Sequence, residues 1–255
     1  MLKAAVLGIV QGLTEFLPVS STAHLVLLRW FTGWQNEVLG SLAFDVALHA
    51  GTLVSLFICF RKDIKEMLGK NHRLLMLILL GTIPAGIAGI LLEDIVEGTL
   101  RSPVIIAVSL VLIGAVMLIA ERFQKAREVK DITIAEALLI GMAQAVALVP
   151  GVSRSGITIS AALFLGLRRE ASARFAFLLS MPVIGGAALL EGSRLLREPS
   201  GFDFPLFAMG FIASLLAGVL AIRFLMSYLR RHPLNSFVYY RFGLAAVIIG
   251  WLYIK

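Results

Sequence analysis

Apolar runs of close to twenty residues recur along this chain, and no other property limits its fold so sharply. Leu42–Phe60 is one such run; as a helix rising about 1.5 Å per residue it matches the roughly 30 Å hydrocarbon core of a bilayer. Further runs near 74–92, 103–120, 175–190, 205–226 and 236–254 bring the predicted crossings to about six. Charged residues are 15% of the chain and hydrophobic ones 59%, whereas a soluble domain carries about 25% charged residues. Lipid offers backbone groups no partner, so the chain is predicted to be an all-α integral membrane protein. The net charge of +7 then reports topology and headgroup contact, and with no soluble basic domain no nucleic-acid partner is expected. Cys59 is the single cysteine; it excludes an internal disulfide and reads as packing.

Two apolar regions break this pattern. Residues 3–17 and 22–34 are each too short to cross and flank Pro18; residues 133–149 and 156–167 flank Pro150 in the same way. Both read as re-entrant helix hairpins. Gln11 and Glu15 interrupt the first region early, which argues against a cleaved signal. If each hairpin returns to the side it entered, the basic loops near 61–73, 122–131, 168–174 and 223–235 share one face. That face holds fifteen Lys and Arg, against six on the other: Lys3, Arg29, Arg101, Arg194, Arg197 and Lys255. The intervening acidic loop carries Glu93, Asp94 and Glu97. The positive-inside rule puts the basic face in the cytoplasm, so hairpin one enters from outside and hairpin two from inside.

A shift of 133 residues superposes Ala4 on Ala137, Gly8 on Gly141, Gln11 on Gln144 and Val19-Ser20 on Val152-Ser153. Opposite entry plus this echo predicts an inverted-topology repeat within a single polytopic domain, 1–255. Repeat one covers about 1–120 and repeat two about 133–255. Small residues four apart (Gly210, Ser214, Gly218; Ala85, Gly89) suit close helix packing.

The breaks also hold the polar residues. Gln11 and Glu15 share one helix face, while Ser20, Ser21 and Thr22 stand where a new helix begins and can cap it. Ser153 and Ser155 can do the same ahead of Gly156. Helix N-termini aimed at the membrane centre form a phosphate cradle, and Arg154 adds a bidentate fork. Around it, Glu15 with Gln11 could hold a divalent cation or orient a nucleophile, and His24 could act as general acid or base or attack phosphorus itself. Ser21 is a candidate nucleophile, and Arg154 would stabilise a transferred phosphoryl group. Plainer roles stand beside each of these: a snorkelling Arg154, a packing carboxylate at Glu15, a core histidine at His24 and serines that only cap helices. Asp45 and His49 could line the site or pair with each other; Arg241 could neutralise a buried carboxylate or approach substrate.

Gln11-Gly-Leu-Thr-Glu15-Phe-Leu-Pro-Val-Ser-Ser-Thr-Ala-His24 resembles the first motif of the undecaprenyl-diphosphate phosphatase (bacitracin-resistance) family, (E/Q)xxxE leading into PVSSTxH. Pro150-Gly-Val-Ser-Arg-Ser-Gly156 resembles its second, PGxSRSG, and Tyr240-Arg241-Phe242 is also similar. The resemblance implies hydrolysis of a C55 lipid diphosphate to the monophosphate carrier of cell-wall synthesis, aided by Mg²⁺ or Ca²⁺. It implies a multi-pass protein of the bacterial inner membrane with its site open to the periplasm or outside. It casts Glu15, His24, Ser21 and Arg154 as catalytic, and Ser20, Ser153, Ser155 and Thr158 as phosphate contacts, with Gln11 and Thr22 also in the substrate site. Gln11 stands where many members have glutamate, which weakens a two-carboxylate metal site at Gln11 and Glu15. The expected partners are the polyprenyl diphosphate and membrane lipids, with a homodimer left open. A transporter or flippase for a polyprenyl phosphate is the competing function, since broken helices in inverted repeats serve transport too. A hydroxyl–His–carboxylate–Arg set is what transport would not need.

Overall fold

Hydroxyl and acidic residues mark where helices begin. Ser41, Asn71 and Asp203 each accept a hydrogen bond from the backbone N–H three residues on, at 3.1 Å. Pro103 opens a helix where its missing N–H costs nothing. The computed structural model describes residues 1–34, 38–92, 102–123, 125–197 and 203–254, without the side chains at 191, 194–197 and 254. Glu93, Asp94, Glu97, Arg101 and Lys255, and the side chains of Arg194 and Arg197, therefore lie outside the described residues.

Eleven helices and no strand make up the described residues: α1 (Leu2–Phe16), α2 (Ser21–Thr32), α3 (Leu42–Cys59), α4 (Arg61–Gly69), α5 (His72–Leu91), α6 (Pro103–Ala120), α7 (Ile134–Val146), α8 (Arg154–Phe164), α9 (Arg169–Arg197), α10 (Phe204–Leu229) and α11 (Asn235–Ile254). Six are long and apolar enough to cross a membrane: α3, α5, α6, α9, α10 and α11. Their outer faces carry bare aliphatic side chains, such as Leu79, Ile83 and Ile87 on α5 and Leu216 and Leu220 on α10. That surface suits lipid, not water. Two sequence-based boundaries move. Residues 61–69, expected as loop, form α4, and α9 begins at Arg169, ahead of the expected 175.

The short helices pair with each other, α1 with α2 and α7 with α8. Lys3, at the start of α1, lies 5.6 Å over the Trp34 ring just beyond α2. Arg127, before α7, reaches the Leu165 carbonyl at the end of α8 and the Asp131 carbonyl. Each pair thus closes on its own end. The four basic loops do meet at one end, and ion pairs brace them. Arg174 pairs with Asp63 and Arg169 with Glu121 (2.6 Å), while Arg230 pairs with Glu170 (2.9 Å). Arg73 donates to the Lys130 and Ile132 carbonyls. Several of the loop charges that report topology therefore also hold the loops together.

Small residues bring the half-length helices in close. A Cβ on Gly8 would come 2.4 Å from the Gly210 carbonyl oxygen of α10, and one on Gly12 2.4 Å from that of Ser214. The counterpart of Gly8, Gly141, meets α5 in the same manner, 2.0 Å from the Gly81 oxygen. Ala85 is buried as expected, but Gly89 has no neighbour, so it serves no helix contact among the described residues. The main core surrounds α9, where Phe177 meets Phe16 edge-on at 5.4 Å. This anchors the end of α1 beside the turn that carries the serines.

Candidate active site

The turns after Pro18 and Pro150 put the N-termini of α2 and α8 against one narrow cavity. Its wall includes Glu15, Ser20, Ser21, Thr22, His49, Ser153 and Arg154, with Ala147 and Val149. Ser20 and Ser153 cap the two helices: Ser20 Oγ accepts from the Ala23 N–H at 3.4 Å and Ser153 Oγ from the Gly156 N–H at 3.2 Å. Both hold positive φ, 75° and 71°, the only non-glycine residues described that do so. A left-handed serine costs on the order of 1–3 kcal/mol and persists where its surroundings dictate it. Here it turns the first amides of each helix, and its partial positive charge, into the same space.

Inside that space Ser21 Oγ–H donates to Glu15 Oε2 at 2.7 Å, and both residues are buried. The Gln11 amide donates to the same oxygen at 3.0 Å and also hydrogen-bonds His49 Nδ1. His49 Nδ1 lies 4.0 Å from Glu15 Oε2. On the other side Arg154 Nη1 stands 3.9 Å from Glu15 Oε1, buried and without a hydrogen-bond partner. A carboxylate thus accepts a serine proton while an unsatisfied guanidinium N–H faces it across the cavity. Such an arrangement can accept a phosphate group and deprotonate a hydroxyl beside it.

The expected site residues separate by what their polar atoms do. Glu15, Ser20, Ser21, Thr22, Ser153 and Arg154 line the cavity, and Gln11 lies directly behind it. Ser155 is committed elsewhere, donating to the Leu17 carbonyl and so accepting from Ser153 Oγ–H. The Thr158 hydroxyl donates to the Arg154 carbonyl. His24 is not brought to the cavity. Its Nδ1–H donates to the Ser20 carbonyl at 2.7 Å, so in the neutral ring Nε2 accepts from the Tyr240 hydroxyl, also at 2.7 Å. The two rings stack 5.6 Å apart.

Two open readings are decided, and of the first pair His49 does line the cavity. Asp45 and His49 do not pair: Asp45 takes a bidentate bond from Arg29, and His49 joins the Glu15 cluster. Arg241 pairs with no carboxylate among the described residues and does not line the cavity. Fully buried, it donates to five backbone carbonyls, those of Pro18, Ser109, Leu110, Gly151 and Val152. Pro18 belongs to one turn and Gly151-Val152 to the other, so one guanidinium ties both turns to α6. Gly151 holds φ +94°, and a Cβ there would come 2.7 Å from the Ile106 carbonyl oxygen, so only glycine lets that turn sit against α6.

The family model described as bacitracin resistance protein BacA matches residues 4–247, which span both turns and every cavity residue. The chain belongs to the bacitracin resistance protein BacA family. Similar members include the undecaprenyl-diphosphatase of Thermodesulfovibrio yellowstonii, 51% identical over 97% of this chain and 96% of its own. That of Rubrobacter xylanophilus is 46% identical over 99% and 98%, and that of Desulforudis audaxviator 44% identical over 98% of each.

Among the described residues no three His, Cys, Asp or Glu side chains gather as a metal cage would require. The donors that exist are hard oxygens. Gln11 Oε1 is buried and unpartnered, and Glu15 Oε1 has no closer partner than Arg154 at 3.9 Å. Two oxygens suit a cation that keeps most of its water, as Mg²⁺ does, and fit Ca²⁺ less fully, since it takes 6–8 ligands.

Proposed function

We propose that this chain hydrolyses undecaprenyl diphosphate to undecaprenyl phosphate and inorganic phosphate, returning the lipid carrier to cell-wall synthesis and giving resistance to bacitracin. Membership of the BacA family and the name shared by its relatives, undecaprenyl-diphosphatase, support the substrate. One observation carries the chemistry: the 2.7 Å bond from Ser21 Oγ–H to Glu15 Oε2 at the joint of two helix N-termini.

In this reading the terminal phosphate lies against the first amides of α2 and α8, Ser20, Thr22, Ser153 and Arg154. Glu15 accepts the Ser21 proton as Oγ bonds to the terminal phosphorus. The bond from that phosphorus to the bridging oxygen breaks, and the oxygen leaves with the lipid phosphate while the Arg154 N–H groups meet the developing charge. Water then releases phosphate and restores the serine. A divalent cation held by Glu15 and Gln11 Oε1 would neutralise diphosphate charge. His24 reaches the reacting oxygens only by leaving Tyr240. Ser155 and Thr158 act by holding the turn. The two helix pairs are re-entrant hairpins of an inverted repeat in the inner membrane, with the basic end cytoplasmic and hairpin one entering from outside. Matching caps at Ser20 and Ser153 support this plan.

The transporter reading has no comparable support, because transport does not require a nucleophile bonded to a base. Phosphate release from the C55 diphosphate by wild type, Glu15→Gln, Ser21→Ala, His24→Ala and Arg154→Ala is the direct test. Glu15→Gln, Ser21→Ala and Arg154→Ala should each lose on the order of 10²–10⁴-fold in kcat. Full activity of Ser21→Ala would shift the attack to water, and full activity in all four would remove the site.

A further inference from the structure

A second site lies at the basic end, away from the Glu15 cavity. A lateral cleft of about 480 Å³ opens between the α3–α4 junction, the first turns of α9 and α10, within the roughly 300–1,000 Å³ of small-molecule sites. Its lining combines cations, Arg61, Lys62 and Arg223, with apolar side chains, Ile58, Ile222 and Met226. The two carboxylates that share it, Asp63 and Glu170, are already held by Arg174 and Arg230. Neither neutralises the remaining cations.

Arg223 is the telling residue. It is the only charged side chain in the 26 residues of α10 and lies six residues before the helix ends, about 9 Å inside it. No ion pair joins it to a carboxylate among the described residues, and the Cys59 thiol shares the cleft wall with it. A helix of 26 residues rises about 39 Å, roughly 9 Å more than the hydrocarbon core, so the exposed Arg223 can sit at headgroup level, where lipid phosphates lie. Nothing in the active-site reading uses it.

We propose that this cleft binds an anionic glycerophospholipid from the leaflet at the basic end. Its phosphate lies against the Arg223 guanidinium, Arg61 and Lys62, and its first acyl methylenes lie along Ile58, Ile222 and Met226. Charge selects the headgroup, the planar fork of arginine matches phosphate oxygens, and the apolar wall selects a lipid over free phosphate.

Native mass spectrometry of the purified full chain in neutral detergent, titrated with phosphatidylglycerol, phosphatidylcholine or inorganic phosphate, tests this. Phosphatidylglycerol should bind, phosphatidylcholine should bind far less, and inorganic phosphate should not displace it. Arg223→Leu, and separately Arg61→Gln with Lys62→Gln, should weaken phosphatidylglycerol roughly tenfold, the effect of losing about 1.4 kcal/mol. Arg231→Gln, an equal charge change outside the cleft, should leave binding unchanged. Phosphatase activity of each variant should match wild type, which also shows it is folded. Undiminished binding by both cleft variants, equal weakening by Arg231→Gln, or equal uptake of phosphatidylcholine would overturn the proposal. Displacement by inorganic phosphate would overturn the lipid as occupant.

Discussion

Arg241 shows how much one side chain can organise. Its guanidinium has five N–H groups and no acceptor, and here they serve five carbonyls that belong to two turns and one spanning helix. Lysine has three donors at a single point, so Arg241→Lys must leave some of these buried carbonyls unsatisfied. We expect kcat to fall about 10–100-fold, because displacements near 1 Å cost that much, while KM moves little. Steady-state kinetics with hydrogen exchange at residues 17–20 and 150–153 would check it; a lowered melting temperature with intact kcat would reduce Arg241 to a stabilising residue. Gln11 offers a second residue-scale test. Its neutral amide leaves Oε1 as the weaker partner of Glu15 for a cation, so Gln11→Glu should lower the Mg²⁺ concentration that restores activity after chelation. A titration with Mg²⁺ reads this directly.

Among elements, the end of α6 is held by charge. Burial by itself would raise the Glu121 carboxyl. Hydrogen bonds from Arg169 and the Leu234 N–H, with the charges of Arg169 and Lys125, outweigh it and hold the pKa below the ordinary carboxylate value. Glu121 thus joins α6 to the start of α9 and to the segment ahead of α11. A depressed folded pKa means its stabilisation is present above the unfolded value and is lost as pH falls through the folded one. Glu121→Gln should therefore lower thermal stability near pH 7 by about 1–3 kcal/mol. The gap from wild type should close as pH falls below about 4. Melting curves across that range would show it, and a gap independent of pH would contradict the charge argument. The element boundaries were largely legible in the sequence because Pro, Gly and hydroxyl residues act locally. The exception, α4, lies in a stretch whose charges read as loop, although its one buried residue is Met67.

For the whole molecule, the arrangement of ends makes an orientation test simple. Thr32, at the end of α2, and Arg168, beyond the end of α8, are both exposed. In a Cys59→Ser background, Thr32→Cys should react with an impermeant thiol reagent in intact cells, and Arg168→Cys only after permeabilisation. The reverse pattern would invert the proposed topology. Labelling of both from one side would break the opposition of the two hairpins.

Hydropathy, helix breaks and capping hydroxyls are properties of neighbouring residues. The sequence alone therefore determined the membrane class, the two interrupted segments and most of the cavity wall. Glu15, Ser21 and Arg154 could be named because each is chemically out of place in an apolar segment. Contacts between distant residues leave no such local mark. Ser21 and Glu15 are close in sequence, but the turn that joins them is fixed by Arg241, 223 residues from Pro18. His24 lies within the motif, yet Tyr240, 216 residues away, holds its ring outside the cavity. His49 faces Glu15 only because α3 packs beside α1 and α10, where Gly51 allows α10 to approach. Close packing decided these pairings, since buried hydrogen-bonding groups must find partners wherever the chain brings them.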